Sequence, residues 1–462
     1  MRSIQFRRAL ATGAVLVLAA GLAACGGDDG DGGETNTAGG TSPGEGKAEC
    51  EALTEFGDLS GKTVSVYTSI VAPEDQPHID SYKLFEECTG AQVNYEGSKE
   101  FEAQLVVRAR SGNPPDIAYI PQPGLLTSLV NDTGAVVEAP QSVADNVDEF
   151  FGEDWKAYGS VDGTFYAAPL GANVKSFVWY SPQMFNENGW EIPETWDDMM
   201  TLSEEIAGTG IKPWCVGIGS GEATGWPATD WLEDVLLRDG GAEVYDQWVD
   251  HEIPFDDPAV VEALDRVGSI LKNPDMVNGG YGDVQSIVET TFQEGGLPIL
   301  EGECALHRQA SFYAANWGEA KPDVKIAEDG DVFAFYLPPT NDENGSPVLG
   351  GGEFAAAFSD RPEVQAFQTY LASDLWANEK AKATPDGGWV SANTGLDVAN
   401  LVSPVDQLSA EILQDPEAVF RFDGSDLMPG AVGAGSFWRE MVAWVGGKSS
   451  EDALADVESS WP

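Results

Sequence analysis

The chain has 462 residues, of which 24 are Lys or Arg and 77 are Asp or Glu, so its formal net charge at pH 7 is −53. Nucleic acids and anionic lipid headgroups are bound through basic patches, and this charge therefore excludes them as partners. The length predicts two lobes rather than one small domain. Because apolar residues make up an ordinary 42%, we expect a folded protein with an acidic surface.

The N-terminus has the pattern of an export signal. Three arginines precede an apolar run at 9–20, and Leu-Ala-Ala precedes Cys25. The run is too short and wrongly flanked for a permanent membrane helix. A Cys after Leu-Ala-Ala resembles a bacterial lipobox, which implies a lipoprotein signal peptide at 1–24 and a lipid on Cys25. An ordinary signal peptide with an incidental Cys is the alternative. Residues 25–50, rich in Gly and acidic residues, are predicted to be a flexible tether.

The remaining cysteines predict two disulfides. Their number is even and the compartment is oxidising, so pairing is expected among Cys50, Cys88, Cys215 and Cys304. Three pairings are possible, and proximity in sequence favours Cys50–Cys88 and Cys215–Cys304. The chain has no C-x-x-C motif and only three scattered histidines. We therefore predict no metal site and no cofactor.

Strand-like and helix-like segments alternate along the chain, which predicts an α/β protein built from βαβ units. No repeat of 20–50 residues indicates a solenoid. The first predicted elements are a strand at 63–67, a helix at 79–88, a strand at 92–95, a helix at 101–111 and a strand at 116–120. Two β-rich stretches follow at 161–179 around Pro169-Leu170-Gly171, and then helices at 196–207 (N-capped by Thr195), 231–238 and 258–271. The last predicted elements are strands at 305–308 and 332–336, a helix at 362–373 capped by Ser359 or Asp360, and helices at 437–445 and 451–457.

Several local patterns occur in an order typical of one family. They are TGAQVNYEGSKEFEAQL with SGNPPDIAYI at 89–120, FYAAPLGANVKSFVWYSPQMFNENGW at 165–190, FQEGGLPILEGECALHRQASF at 292–312 and LMPGAVGAGSFWREMVAWV at 427–445. Together they resemble the extracellular solute-binding proteins of carbohydrate ABC importers (family 1, similar to maltose- and α-glucoside-binding proteins). The stretch PWCVGIGSGEATGWPATDWLEDVLLR at 213–238 is most similar to the α-glucoside branch, which takes sucrose, trehalose or maltose.

The resemblance implies a two-lobe α/β fold of the periplasmic-binding-protein-like type II, with crossing strands between the lobes and the ligand cleft between them. The implied boundaries are 51–172 and 337–390 for lobe 1, and 173–336 and 391–462 for lobe 2. Disulfides within the lobes leave such a hinge free to close, which also favours the pairing given above.

Four aromatic residues are candidates for stacking on a sugar, because a flat ring covers the apolar C–H face of a pyranose. Trp438 has the spacing from Met428-Pro429 that resembles the family's stacking tryptophan, and Phe312 falls where the family places another aromatic. Trp226 lies in a Gly-Trp-Pro turn, and Trp389 follows two glycines at an implied crossing. The alternative for each is a place in the core, where we expect most of the 14 tryptophans.

Polar candidates lie in turns next to predicted strands. Three glycines before Glu353 suit a backbone that approaches a ligand closely, and the others follow strands or turns. The alternative for the acids is an ordinary solvated side chain. The polar set is Ser98, Glu100, Gln122, Asp230, Gly352 and Glu353. Gln122 stands where the family often has an aromatic and an acid–Arg pair, so maltose-type contacts are not carried over to lobe 1.

These observations predict a monomeric receptor, not an enzyme, outside the cytoplasm and lipid-anchored to the cell membrane. It captures an oligosaccharide or α-glucoside by lobe closure and delivers it to the permease subunits of an ABC importer. A secreted glycoside hydrolase, which also needs carboxylates, and a receptor for a non-sugar solute are the alternatives. One hypothesis for the charge is a high-salt habitat, where repulsion is screened; a merely acidic exported protein is the other.

Overall fold

The computed structural model describes residues 43–44, 47–279, 284–414 and 418–462. The predicted signal peptide, Cys25 and most of the predicted tether lie outside this part of the chain. The end of the predicted tether is structured, because a 3₁₀-helix spans Ala48–Phe56 and buries Cys50 and Leu53. Among the helices described, none combines the length and apolar character needed to cross a bilayer.

Within the described residues, twelve strands form two main sheets and one small hairpin. They are β1 (Thr63–Thr68), β2 (Gln92–Gly97), β3 (Ile117–Ile120), β4 (Ser160–Val161), β5 (Thr164–Phe165), β6 (Ala167–Val174), β7 (Phe177–Tyr180), β8 (Lys212–Trp214), β9 (Cys304–Arg308), β10 (Phe333–Tyr336), β11 (Val348–Ala357) and β12 (Phe420–Phe422).

The first sheet has the order β12-β11-β3-β1-β2, with β6 on the other edge of β11. β1 is parallel to β2 and β3, while β11 is antiparallel to β3 and β6 and parallel to β12. All four residues of β3 are buried, as expected for a parallel strand covered on both faces.

The second sheet has the order β10-β7-β9-β8. β7 is antiparallel to β10 and β9, and β8 is parallel to β9. Every residue of β7 and β9 is buried, so this sheet is also a central layer. Its surrounding core is rich in tryptophan, as expected for most of these residues; Trp179, Trp214, Trp231, Trp248, Trp317 and Trp444 are fully buried there.

Helices surround both sheets. They are α1 (Asp75–Ser81), α2 (Lys83–Thr89), α3 (Phe101–Arg110), α4 (Pro123–Thr133), α5 (Gln141–Phe150), α6 (Glu153–Tyr158), α7 (Pro182–Asn188), α8 (Trp196–Gly208), α9 (Trp226–Val249), α10 (Pro258–Leu271), α11 (Ser286–Glu289), α12 (Phe292–Gly295), α13 (Ala314–Ala320), α14 (Pro362–Leu371), α15 (Asp374–Lys382), α16 (Pro404–Gln414), α17 (Gly424–Leu427), α18 (Trp438–Val445) and α19 (Ser450–Glu458).

Three element predictions differ from the structure. The predicted helix at 79–88 is two helices, because α1 ends and α2 begins at Tyr82. The predicted helix at 231–238 is the middle of the much longer α9. The two β-rich stretches do not break at Pro169-Leu170-Gly171, since β6 continues through them. Proline is tolerated there because β6 is an edge strand and Pro169 lies at a register shift opposite Phe354.

Helix caps test the local sequence rules further. Thr195 accepts a hydrogen bond from the backbone N–H of Asp198, so the predicted N-cap of α8 is confirmed. The predicted cap of α14 is wrong, because Arg361 occupies the N-cap position and makes no side-chain cap bond. Pro362 opens that helix instead, and a proline fits the first turn without losing a hydrogen bond.

Both predicted disulfides are present. Cys50 of the N-terminal 3₁₀-helix is bonded to Cys88 of α2. Cys215, directly after β8, is bonded to Cys304 at the start of β9. Neither bridge joins one sheet to the other.

The chain passes between the sheets at 175–176 and at 337–347, and these segments are hydrogen-bonded to each other through Leu337 N–H and Ser176 O. It enters the first sheet again at β12, which lies within the stretch 391–462 expected for lobe 2. The first sheet therefore takes one more strand from the C-terminal region than expected.

Candidate functional site

A cavity of about 160 Å³ lies between the two sheets; we call it the central cavity. Its first-sheet side is formed just after strand ends, by Ser69 after β1, Lys99 after β2 and Gln122 after β3. Its second-sheet side includes Trp226 at the start of α9 and Phe312 after β9. In open α/β sheets, ligands bind in the crevice at the carboxyl ends of the strands, and the central cavity has this position in the first sheet.

The structure brings six of the ten predicted ligand-binding residues to this cavity. These six are Gln122, Trp226, Phe312, Gly352, Glu353 and Trp438. Trp389 lies nearby and lines a smaller cavity that adjoins the central one.

Ser98, Glu100 and Asp230 do not line the central cavity. Ser98 Oγ accepts the backbone N–H of Glu100, and Glu100 is exposed. Their neighbours Lys99, in the turn before α3, and Glu102, in the first turn of α3, line the cavity instead. Asp230 is fully buried beneath the cavity, where it contacts Lys175 and lies close to Asp423, both of which line the cavity.

Aromatic rings form one wall of the cavity. The ring centroid of Trp226 lies 5.0 Å from that of Phe292 and 6.1 Å from that of Phe312, and Phe292 and Phe312 are 6.1 Å apart. All three side chains are half-buried, so each leaves part of its ring exposed. Such a wall suits the apolar C–H face of a sugar ring.

A glycine allows the two segments that carry Trp226 and Trp438 to lie close together. Gly225, the N-cap of α9, has φ +117°, a conformation that side-chain-bearing residues rarely adopt. A Cβ atom at this position would lie 2.2 Å from the backbone oxygen of Trp438. Trp438 itself follows a π-helical turn at Val432–Phe437, a feature that recurs at functional sites. Gly225 thus allows Trp226 and Trp438 to approach.

Lys175 forms the charged floor of the cavity. Its Nζ lies 3.0 Å from Asp230 Oδ1 and contacts Asp423 Oδ2. It also lies 5.5 Å from the ring centroid of Trp226. Behind it, Arg308 pairs with Asp234 at 2.8 Å, and Arg238 also contacts Asp234.

The buried carboxyl groups of Asp230, Glu233, Asp423 and Asp426, which surround Lys175, differ in their pKa shifts. Burial raises the pKa of Asp230 to about 7, although Lys175 acts in the opposite direction. Burial, reinforced by Asp423, raises the pKa of Glu233 and of Asp426 well above the ordinary range. Burial would also raise the pKa of Asp423, but Lys175 lowers it below its ordinary value. Lys175 therefore favours the charged form of Asp423, whereas burial favours the neutral form of Asp426, which lines the cavity.

Carboxylate oxygens of Asp230, Glu233 and Asp423 converge within 4.8 Å of one another. This spacing could suit a cation. Lys175 already places an ammonium group against Asp230 and Asp423, so a protein side chain supplies the positive charge.

Several buried polar atoms on the cavity wall have no hydrogen-bond partner in the described part of the chain. They are Gln122 Oε1, Asn173 Oδ1, Gln293 Oε1 and Trp438 Nε1. A buried polar atom without a partner costs roughly 1–3 kcal/mol. Three acceptors and one donor are thus available to a ligand that carries hydroxyl groups.

The adjoining cavity, which we call the inner chamber, measures about 40 Å³. It shares five residues with the central cavity, which are Ile70, Glu74, Asn173, Phe312 and Glu353. Its inner end is formed by His78, Lys380 and Trp389. Burial, together with the nearby Glu353, raises the pKa of Glu74 to about 8, and burial lowers the pKa of Lys380 to about 7.

Sequence reasoning missed Lys175, Asp423 and Asp426. Lys175 and Asp423 are 248 positions apart, and no local pattern connects them. Phe292 was part of a quoted motif, but no periodicity signal distinguished it from a core residue. Glu74 and Asn173 also lack a signal, since each needs the folded strand ends to reach the cavity.

The two sheets, the repeated chain crossings and the cavity between the sheets are the architecture of the periplasmic-binding-protein-like type II fold. Residues 64–383 match the model of the bacterial extracellular solute-binding protein family, and the chain belongs to this family. The predicted fold class and family are therefore confirmed. Members of this family are receptors and not enzymes, and they act outside the cytoplasm.

Two curated relatives cover nearly the whole chain. The alpha-glucosides-binding periplasmic protein AglE of Rhizobium meliloti is 40% identical over 430 residues, covering 90% of each chain. The osmoprotective compounds-binding protein GgtB of Synechocystis sp. is 38% identical over 415 residues, covering 89% of this chain and 96% of that protein. Among solved structures, a chitin oligosaccharide binding protein has a TM-score of 0.72 at 18% identity, covering 86% of this chain and 97% of that one, which shows the shared fold.

Proposed function

We propose that this protein is an extracellular receptor for an α-glucoside, of the sucrose, trehalose or maltose type, and serves an ABC importer. The observation that carries the proposal is one cavity whose lining combines an aromatic wall with unpartnered buried amide and indole groups. Aromatic rings and paired polar groups are the two elements that a neutral sugar needs. The 40% identity to an alpha-glucosides-binding protein supports the same ligand class.

The charge of the site also favours a neutral ligand. Acidic side chains on the cavity wall outnumber basic ones, with Glu74, Glu102, Glu353, Asp423 and Asp426 against Lys99 and Lys175. Burial raises the pKa of Glu74, Glu102, Glu353 and Asp426, so the wall opposes buried charge, and an anionic solute would lose its hydration there. An amino acid would need a buried cation for its carboxylate; Lys175 is already paired with two aspartates, and Lys99 is exposed to solvent.

Closure of the lobes is the proposed mechanism. The central cavity takes residues from both sheets, so a ligand contacts both only when they are close together. This differential binding shifts the population towards the closed form. The boundaries 51–172 with 337–390 and 173–336 with 391–462 are proposed for the lobes, with β12 added to the first. The closed receptor, a monomer, then delivers the sugar to the permease.

A lipid on Cys25 is proposed to hold the receptor at the outer face of the cytoplasmic membrane. The acidic, Gly-rich segment after it would act as the tether. Attachment near the permease raises the effective concentration of the receptor there. Labelling of the expressed protein with a radioactive fatty acid tests this, and loss of label in Cys25→Ser is the expected result.

A thermal-shift screen tests the ligand class. Sucrose, trehalose, maltose, an amino-acid mixture and a uronic acid are each added to the purified protein, because a ligand bound only by the folded state raises the melting temperature. We expect a shift with at least one α-glucoside and none with the charged solutes. Release of monosaccharide during incubation would instead favour a hydrolase.

A further inference from the structure

The lining of the inner chamber includes two buried polar atoms that the protein itself leaves without a partner. Trp389 Nε1 and His78 Nδ1 have no hydrogen-bond partner among the described residues. Their side chains are only 7% and 3% exposed. A buried indole N–H usually finds a partner, so its free state at a cavity wall points to a ligand group.

The space between Trp389 and Glu353 exists because residue 171 is glycine. A Cβ atom at Gly171 would lie 2.8 Å from Glu353 Oε2 and 3.1 Å from Trp389 Nε1. Both polar atoms therefore lie close to the same glycine and close to each other. Gly171 is opposite Glu353 in the β6–β11 pairing, so the sheet itself fixes this arrangement.

The size of the inner chamber limits what can enter it. A volume of about 40 Å³ holds about two or three water-sized groups and is too small for a sugar ring. The shared residues Glu74, Asn173 and Phe312 connect it with the central cavity. A short arm that projects from a ring in the central cavity can therefore reach it. On a glucosyl unit, the exocyclic hydroxymethyl group is such an arm.

We propose that the inner chamber binds the exocyclic hydroxymethyl group of the ligand, with Trp389 Nε1 donating to its hydroxyl oxygen and the hydroxyl donating to Glu353. This proposal rests on the proposed function, and it adds the group that determines specificity. A hydroxyl both accepts and donates, so it satisfies the indole N–H and the carboxylate together.

Two ligand changes should therefore be rejected. A sugar that is deoxygenated at C6 leaves Trp389 Nε1 and Glu353 without their partner. A uronic acid places a carboxylate in a buried chamber beside the carboxyl groups of Glu74 and Glu353, and burying a charge without a partner is costly. The chamber thus selects a primary alcohol over a methyl group or an acid.

The test uses titration calorimetry with sucrose, trehalose and maltose, and with their analogues deoxygenated at every glucosyl C6. We expect wild-type protein to bind the best of the three sugars at least about tenfold more tightly than its deoxy analogue, because a hydrogen bond to a charged group is lost. Trp389→Phe keeps a ring and removes the N–H. This variant should bind the parent sugar about tenfold more weakly than the wild type does, and its affinity for the deoxy analogue should change by less than about twofold.

Trp376→Phe is the control. Trp376 packs edge-on against Trp389 at 5.5 Å, but its Nε1 donates to Ser81 Oγ. Trp376→Phe should lower the melting temperature without changing the ratio of the affinities for the parent sugar and its deoxy analogue. Gly171→Ala, which narrows the space from the opposite side, provides a second variant and should reduce the preference for the parent sugar.

Equal binding of parent and deoxy sugars by the wild type would overturn the chamber proposal while leaving the receptor function intact. An equal loss for both sugars in Trp389→Phe would also overturn it. Absence of binding by all three parent sugars would instead contradict the proposed function.

Discussion

Removing the charge of Lys175 is the most informative perturbation of the cavity floor. In Lys175→Met the side chain keeps much of its length and loses its ammonium group. Asp230 and Asp423 are 0% and 1% exposed, and both lose their contact with Nζ. Breaking a buried pair by removing one partner costs about 3–5 kcal/mol, because a buried charge is left unpaired. We expect a loss of free energy of unfolding in this range at pH 8.

The loss should depend on pH in a defined direction. Without Lys175 the pKa of Asp423 in the folded state rises, since Lys175 is what lowers it in the wild type. A carboxyl with a raised folded-state pKa contributes stability that is present at low pH and lost as the pH rises. The difference between variant and wild type should therefore be smaller at pH 5 than at pH 8.

Denaturation with urea, followed by tryptophan fluorescence, measures this difference. Lys382→Met is a matched control, because Lys382 is 53% exposed and pairs with Glu379 on the surface of α15. Its midpoint should stay close to that of the wild type. If Lys175→Met and Lys382→Met unfold at the same midpoint at pH 8, Lys175 does not neutralise the floor as described.

Three further predictions concern binding, pH and salt. Trp438→Ala should weaken α-glucoside binding at least about tenfold in calorimetry, because a stacked ring is lost. Trp461→Ala is the control, since it removes a ring that is stacked on His251 outside the cavity, and it should leave the affinity unchanged. Equal effects of the two substitutions would show that Trp438 does not belong to the site. Burial raises the pKa of Glu74 to about 8 and that of Asp406 to about 7, so these carboxyls contribute stability that is complete below about pH 4 and lost as the pH rises to 8. The melting temperature should fall between pH 5 and pH 7, and a rise over this interval would contradict these shifts. Since the net charge is −53, NaCl should raise the melting temperature by screening self-repulsion, and no rise with salt would count against adaptation to a high-salt habitat.

The aromatic part of the site could be predicted from the sequence because it lies in local motifs. Trp226, Phe312 and Trp438 each follow a turn signal or a fixed spacing, and all three line the central cavity. The two disulfides were predictable for a similar reason, since each joins cysteines that are neighbours in the order of the chain.

The charged part could not be predicted, because it depends on long-range contacts. Lys175 lies at the first chain crossing, and Asp423 lies directly after β12; only the folded first sheet brings them together. Ser98 and Glu100 illustrate a smaller limit. The turn was identified, but which residue faces the cavity depends on the residue at which α3 begins.

The α/β class followed from alternating strand and helix patterns, and α10 was predicted with its observed bounds at Pro258–Leu271. The two-lobe type II architecture was implied by the family resemblance and not by these patterns. The continuity of β6 could not be predicted in this way, since Pro169 and Gly171 read as a break. Pairing of β6 with the glycine-rich β11 overrides that local preference, because the long ladder of hydrogen bonds forms only in the folded sheet.

Titration of the purified protein with sucrose, trehalose and maltose in a calorimeter tests the central claim most directly. The account predicts saturable binding of at least one of them at a single site per chain, weakened by Trp438→Ala and without release of monosaccharide. The absence of heat with all three sugars, together with binding of a charged solute by the same protein, would contradict it.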